Sequence, residues 1–504
     1  MIPPCFFERN SDVRLPLVLP VIMLLLPAVT AFSADVPLSL TLNAAIRMAV
    51  EKNLDVRAEL YNPAQYEADI NRYRSMYNPV LSLETNYIDS STETFSSAGK
   101  AFNSRGLTLN SSLSQLLWTG GTAAITFNNG YTNSNVVTGW QTGLGASISQ
   151  PLLKNMGREA TELAINISRS SKFASLEHFN ARLLSTVAQV RTEYYKLHSL
   201  REDRNVKKVS LELARKILSD TQARVNAGVL PAMEILNAEF GAVTREKELI
   251  DAERAVFDQV DVLRLLLQTG TQVNDLQTVD LPPRDRFDTI ESEALQKALN
   301  RPDIREQKRT LELNELQTRN LNQKTLPDLA LTASAQLTGL DSVYQKNMDK
   351  VLTFDYPVWS VGLTFSYPLG NGAAENELRK SKLKTEQLAL QLRSLEENAS
   401  NEVKAAIRGV AAEFKQIEVA DRGTKFAEER LRAFIRKNEV GLATTKDVLE
   451  VENDLSVSKS NQIKAVVGYA NALTTYWQVT GELLEREGIR VVEGDADKLY
   501  SATR

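Results

Sequence analysis

With 504 residues, 24% of them charged, and a formal net charge of −4, the chain leaves no basic stripe uncompensated, which argues against nucleic acid as a partner. That length suggests about three domains, but long helix-forming segments repeated in the same order favour one elongated body. The only cysteine, Cys5, sits at the start, so neither disulfides nor thiol chemistry is expected once that start is removed.

Residues 1–34 have the form of a secretory signal. Arg9 and Arg14 flank an apolar run over 15–29, and Ala31, Ser33 and Ala34 offer cleavage between 31 and 34. The run is shorter than the ~20 residues of a membrane span and is interrupted by Pro16, Pro20 and Pro27, so it reads less well as an anchor.

A first repeat is expected over 35–270. It opens with the amphipathic helix LNAAIRMAVEKN and changes character at Pro79, after which VLSLETNYIDS alternates at period two. A partner strand, TGLGASISQ, precedes Pro151. There Leu144, Ala146 and Ile148 alternate with Gly145, Ser147 and Ser149, giving two chemically different faces. Such strands, placed at about 80–150, suit a wall between lipid and water, with Tyr87 and Trp140 near their ends as an interfacial girdle requires. A half-buried soluble sheet shows the same alternation, and the secretory leader favours the membrane. Residues 105–131 read as an additional hairpin. Leu107, Leu109, Leu113 and Leu117 lead to a turn at Thr119, Gly120 and Gly121, and Ala123, Ile125, Phe127 and Tyr131 continue in phase. Both arms reach the 9–11 residues of a membrane strand, which favours wall over external loop.

A helical hairpin is expected over 158–270. Leu176, Leu183, Val190 and Leu197 recur every seven residues, with Phe179, Val187 and Tyr194 between them, the pattern that winds helices into left-handed coiled coils. An outgoing helix from 158 to about 224 would reach on the order of 100 Å. The return helix, from Pro231 to about Gln268, covers half of that, so the opening helix could stack on its end. Linker 271–289 and tail 487–504 lack periodicity and are expected to pack outside, around the middle.

The second repeat, 290–486, retraces this path. EALQKALNRPDI opens it; strands at about 328–368 carry Val361, Leu363 and Phe365, with Tyr356, Trp359 and Tyr367 near their ends; a hairpin follows over 373–486. Val403, Val410 and Ile417, then Ile463, Ala470 and Trp477, repeat the heptads. Gly228 and Gly441 lie 213 residues apart, and Pro151 and Pro368 lie 217 apart. Pro79 and Pro327 lie 248 apart, so the first copy holds 31 to 35 extra residues, most of which the additional hairpin accounts for. Four strands, or six, are too few for a barrel and cannot leave open edges in lipid. Several chains must therefore close the sheet.

The duplication, the strand-to-helix passages SQPLLKNMG and SYPLGNGAAENE, and the tips GVLPAMEIL and GLATTKDVL together resemble the TolC-like outer-membrane efflux family, over essentially the whole chain after the leader. The resemblance implies a mainly α protein with membrane β: long coiled-coil helices plus strands, a homotrimer sharing one β-barrel in the outer membrane, and an α-helical tunnel across the periplasm. It implies a periplasmic adaptor protein, an inner-membrane pump and outer-membrane lipid as partners, and cargo that leaves unchanged, with no catalytic residue, cofactor or resident metal. Asp447 and Glu450 match the family's acidic constriction and Glu234 an acid of its gating network. Gly228, Val229, Leu230, Gly441 and Leu442 form the tip turns for adaptor docking. Three chains would place six carboxylates from Asp447 and Glu450 around one axis, a cation-attracting ring; the alternative is two solvated acids on a helical turn. The arginine and tyrosine that close the family's tip align with Ala443 and Asn438, leaving Lys446, Arg436, Lys437 or Arg224 as replacements.

Catalytic readings have little support. His178 and His198 lie twenty residues apart without metal-ligand spacing, and GLGASI at Gly143 lies inside an alternating strand and opens no helix. The competing reading is a periplasmic or secreted coiled-coil scaffold without a pore. Drug, metal and protein export share this body plan, so the chain does not name its cargo.

Overall fold

The computed structural model describes residues 38–93, 101–270, 275–491 and 494–502; the expected leader, with Cys5 and its cleavage sites, lies outside them. In chain order come β1 (Leu38–Leu40), α1 (Leu42–Lys52), α2 (Leu54–Arg74), β2 (Val80–Glu93), β3 (Ala101–Leu116), β4 (Thr122–Ser134), β5 (Thr138–Pro151), α3 (Arg158–Thr161), α4 (Leu163–Asn226) and α5 (Met233–Leu267). After these follow β6 (Leu276–Thr278), α6 (Glu291–Ala298), α7 (Pro302–Lys324), β7 (Asp328–Asp341), α8 (Tyr344–Leu352), β8 (Pro357–Ser366), α9 (Gly372–Glu439), α10 (Thr445–Thr480), α11 (Leu483–Arg486) and α12 (Gly494–Ala502).

The opening helix is divided at Asn53. Its side-chain oxygen accepts the N–H groups of Asp55 and Val56 at 3.0 and 3.2 Å, which caps α2. Its amide donates to the Leu266 carbonyl at 3.0 Å, at the end of α5. One residue thus starts α2 and seats it on α5, and both pack along α4. The heptad residues Leu176, Leu183, Val190 and Leu197 are all buried there. The return helix begins at Met233 rather than at Pro231, which stays in the turn. In the tip half the helices lie in the order α5, α4, α10, α9; in the sheet half the order is α2, α4, α7, α9.

The sheet runs β2-β3-β4-β5-β7-β8 with every neighbour antiparallel. Residues 105–131 lie in β3 and β4, hydrogen-bonded on both sides between β2 and β5, so the additional hairpin is wall. Over the middle of the sheet, register sorts most side chains by polarity. One face carries Leu81 and Leu83, Leu109 and Leu113, Ile125 and Phe127, Leu144 and Ile148, Leu331 and Leu337, and Val361, Leu363 and Phe365. The other carries Ser82 and Asn86, Thr108 and Asn110, Thr126 and Asn128, Gly145 and Ser147, Ser334 and Gln336, and Ser360 and Thr364. Tyr87, Tyr131 and Trp140 share one row of the apolar face, with the Tyr131 and Trp140 rings 5.0 Å apart. From Ile148 to that row β5 runs about 27 Å, or about 20 Å of height at a 40° tilt.

Between β7 and β8 the chain folds into α8, which lies on the apolar face over Gly339. A Cβ there would sit 2.2 Å from the Asn347 carbonyl oxygen, so only glycine allows the contact. The Asn347 amide donates to the Thr142 hydroxyl, which donates to Asn129 Oδ1 at 2.8 Å. Two polar residues of the apolar face, Thr142 and Asn129, are thereby paired.

The linker and tail are more ordered than their lack of periodicity suggested. β6 pairs in parallel with β1, and Tyr194 of α4 holds both. Its hydroxyl donates to the Leu40 carbonyl at 2.8 Å and accepts the N–H groups of Val279 and Asp280 at 3.0 Å each. α12 packs on α2, where Lys172 bridges Glu67 and Asp497 at 2.8 and 2.6 Å. Elements of three to nine residues hold too few periods to register in a sequence pattern.

Candidate functional site

The two hairpin tips are built alike. Gly228 and Gly441 adopt φ of 73° and 77°, and behind each a paired turn closes the helix: Val229 N–H to the Arg224 carbonyl at 2.9 Å, and Leu442 N–H to the Lys437 carbonyl at 2.8 Å. Left-handed backbone of this kind favours glycine. Val229 and Leu442 project into solvent, 71% and 77% exposed, while Leu230 is half-buried.

Asp447 starts α10. Thr444 N–H and Oγ1 both donate to Asp447 Oδ2 at 2.8 Å, and Asp447 N–H donates back to Thr444 Oγ1 at 3.1 Å, a reciprocal capping box. These bonds, the backbone one first, hold its carboxyl below the ordinary carboxylate range, assisted by Lys446. The help it gives the helix start is therefore present above the ordinary aspartate pKa and fades as pH falls through the lowered value. Glu450 is exposed one turn further on. Glu234, in the first turn of α5, accepts Thr445 N–H at 3.3 Å and links the first tip to the second. Of the cations that could stand in for the family arginine, Arg224 makes the cross-tip contact: it donates to the Asn438 backbone and side-chain oxygens at 3.0 and 3.3 Å. Lys437 lies over the Phe434 ring instead.

Sequence reading missed the polar centre behind the tips. Arg245 Nε donates to Glu452 Oε2 at 3.0 Å and its Nη2 to the Leu449 carbonyl at 2.8 Å, while the Ser210 hydroxyl donates to the same glutamate. Both charges are almost fully buried. Nothing local in the sequence marks the Glu452 carboxylate as buried.

Also missed were apolar rows on the outermost helices. Along α5, Met233, Leu236, Phe240 and Val243 follow three- and four-residue spacings and Ile250 and Phe257 continue them at seven, all 60% or more exposed. Along α9, Leu383 and Leu390, then Val419 and Phe426, are exposed at seven-residue spacing, and Val440, just past its end, continues the phase. The signal was present as a second heptad phase. Of the two histidines, His178 has its Nδ1 3.2 Å from Glu306 Oε2, and burial lowers the pKa of His198.

Comparison with known proteins gives this geometry a context. The chain is 24% identical over 317 residues to nodulation protein T of Rhizobium leguminosarum bv. trifolii, covering 62% of this chain and 65% of the relative. It is likewise 24% identical to the pyoverdine export outer membrane protein OpmQ of Pseudomonas aeruginosa, covering 60% and 64%. The matches thus span a little under two thirds of these relatives. The crystal structure of the Campylobacter jejuni CmeC outer membrane channel superposes with a TM-score of 0.67 at 17% identity, covering 91% of this chain and 89% of that one. A family profile described as outer membrane efflux protein matches residues 45–268 and 294–482. That match covers most of the chain, and the chain belongs to the outer membrane efflux protein family.

Proposed function

We propose that three copies of this chain close into one outer-membrane conduit, a passive exit driven by an inner-membrane pump through a periplasmic adaptor. The carrying observation is that both layers are open on the same two sides. The sheet ends in β2 and β8 with unpaired backbone, and the helical row ends in α2 and α5 on one side and α9 on the other, each with exposed apolar residues. β2 and β8 run in opposite directions, so β8 of one copy continues antiparallel into β2 of the next, while α5 meets the neighbour's α9 along matched heptads. A scaffold in water has no use for an apolar band across six strands. Heat-sensitive trimers in outer-membrane extracts that conduct in planar bilayers are the expected result; a soluble monomer without conductance overturns it.

The helical edges offer a direct check. Phe426→Asp places a charge in each α5–α9 seam at a site 69% exposed in the single chain. Loss of a buried aromatic costs roughly 3–5 kcal/mol per seam, so the trimer band is expected to disappear while helix content measured by circular dichroism persists.

At the tips, three copies would set Asp447 and Glu450 around the axis, with Glu234 and Arg224 tying each copy's tips together and the exposed Val229 and Leu442 turns receiving the adaptor. The double variant Asp447→Asn, Glu450→Gln keeps an oxygen for the Thr444 bonds and removes the charge. Single-channel recordings are expected to show raised anion passage and loss of block by multivalent cations. Unchanged selectivity removes the acids from the pore.

A further inference from the structure

The hairpin of β3 and β4 sets how wide the closed sheet is. Without it the chain would offer four strands, β2, β5, β7 and β8; with it the sheet has six. We infer that this hairpin is a bore-widening insertion, making the membrane segment an eighteen-stranded barrel that admits bulky hydrophilic cargo. The inference rests on the three-copy closure proposed above.

Circumference supports it. Strands about 4.8 Å apart and tilted by about 40° each occupy about 6.3 Å of perimeter, so eighteen enclose about 113 Å and a backbone diameter of about 36 Å. Twelve strands would enclose about 75 Å, a diameter of about 24 Å. Beneath the sheet each copy presents four helical columns, α2, α4, α7 and α9. Twelve helices spaced 8–10 Å apart make a ring of about 96–120 Å. Six strands per copy therefore meet the helical ring at its own perimeter, whereas four would force a taper of about one third.

The lining gives the cargo class. The inserted strands turn Thr108, Asn110, Ser112, Thr126, Asn128 and Gly130 to the face opposite the apolar band. Among the described strand residues on that face, only Glu84 and Asp328 are ionisable. The hydroxyls and amides that make up the rest of this face exchange hydrogen bonds with a polar solute, so the lining suits hydrophilic cargo.

The test uses the purified full-length protein in planar bilayers, with polyethylene glycols of graded size added at the barrel mouth, so that entry is read as reduced current even while the far tip is narrow. Allowing about 5 Å for side chains on each wall, polymers of about 10 Å radius should enter the wild-type mouth and be excluded by a variant lacking residues 101–134. Because that variant could fail to fold, cysteines supply a second reading. Thr108→Cys is expected to react with a charged, water-soluble thiol reagent and Leu109→Cys, on the apolar face, to be protected in lipid. Native mass of the wild type separates the two levels. A trimer that excludes the polymer, or whose two cysteines react alike, overturns the wide barrel and leaves the conduit standing. A particle that is not a trimer overturns both.

Discussion

Val361→Arg is expected to abolish the heat-sensitive trimer, whereas Ser360→Arg, one residue away, leaves it intact. Val361 lies at the middle of β8 on the apolar face, opposite Ala333 and 65% exposed in the single chain. An arginine at the bilayer midplane of a membrane strand costs about 2–4 kcal/mol. Three copies share one barrel, so the assembly would lose roughly 6–12 kcal/mol, comparable to the whole stability of a domain. Ser360 points to the opposite face, where its hydroxyl pairs with Ser334 at 2.8 Å. Three arginines there enter water, and the expected effect is a shift of selectivity toward anions. Extraction, unheated gel mobility and reversal potential measure both. If the two variants behave alike, the assignment of lipid and water faces fails.

The second large effect is expected at Glu452. Its carboxylate and the Arg245 guanidinium are taken from water where α4, α5 and α10 meet, so the two repeats are joined by a fully bonded polar group in an apolar seam. Breaking such a pair on one side leaves an uncompensated buried charge and costs about 3–5 kcal/mol. Glu452→Ala should lower the thermal unfolding midpoint of the helical region by that measure. Replacing both members, Glu452→Leu with Arg245→Met, should return stability close to wild type or above it, because two desolvation costs vanish together with the attraction. A single variant within about half a kcal/mol of wild type would show that water reaches the pair.

Asn53 and Gly339 show where reading the sequence stops. Asn53 appears inside an amphipathic run; its side-chain oxygen caps α2 locally, and its bond to Leu266, 213 residues away, seats the break on α5. Gly339 appears as one more small strand residue, yet it is the floor on which α8 rests. Asp447 is visible as an acid near a tip, but its service to Thr444 depends on where the helix begins. Asn53 and Gly339 take these roles from partners outside their own element, which sequence spacing does not encode, whereas the Thr444–Asp447 pair is three residues apart and depends only on where the helix starts.

By itself the sequence determined the periodic features: two repeats, strands with one apolar and one polar side, heptad helices, glycine tips, and an extra hairpin of the right length. Those follow from local geometry, since periods of two and seven place side chains on faces whatever surrounds them. Only the tertiary structure decided how the faces meet: β3 and β4 inserted into the wall, α8 folded back on it, a buried Arg245–Glu452 pair behind the tips, and open edges aligned in both layers. These depend on which distant segments approach one another, and that is set by the packing of the whole chain rather than by any one stretch of it.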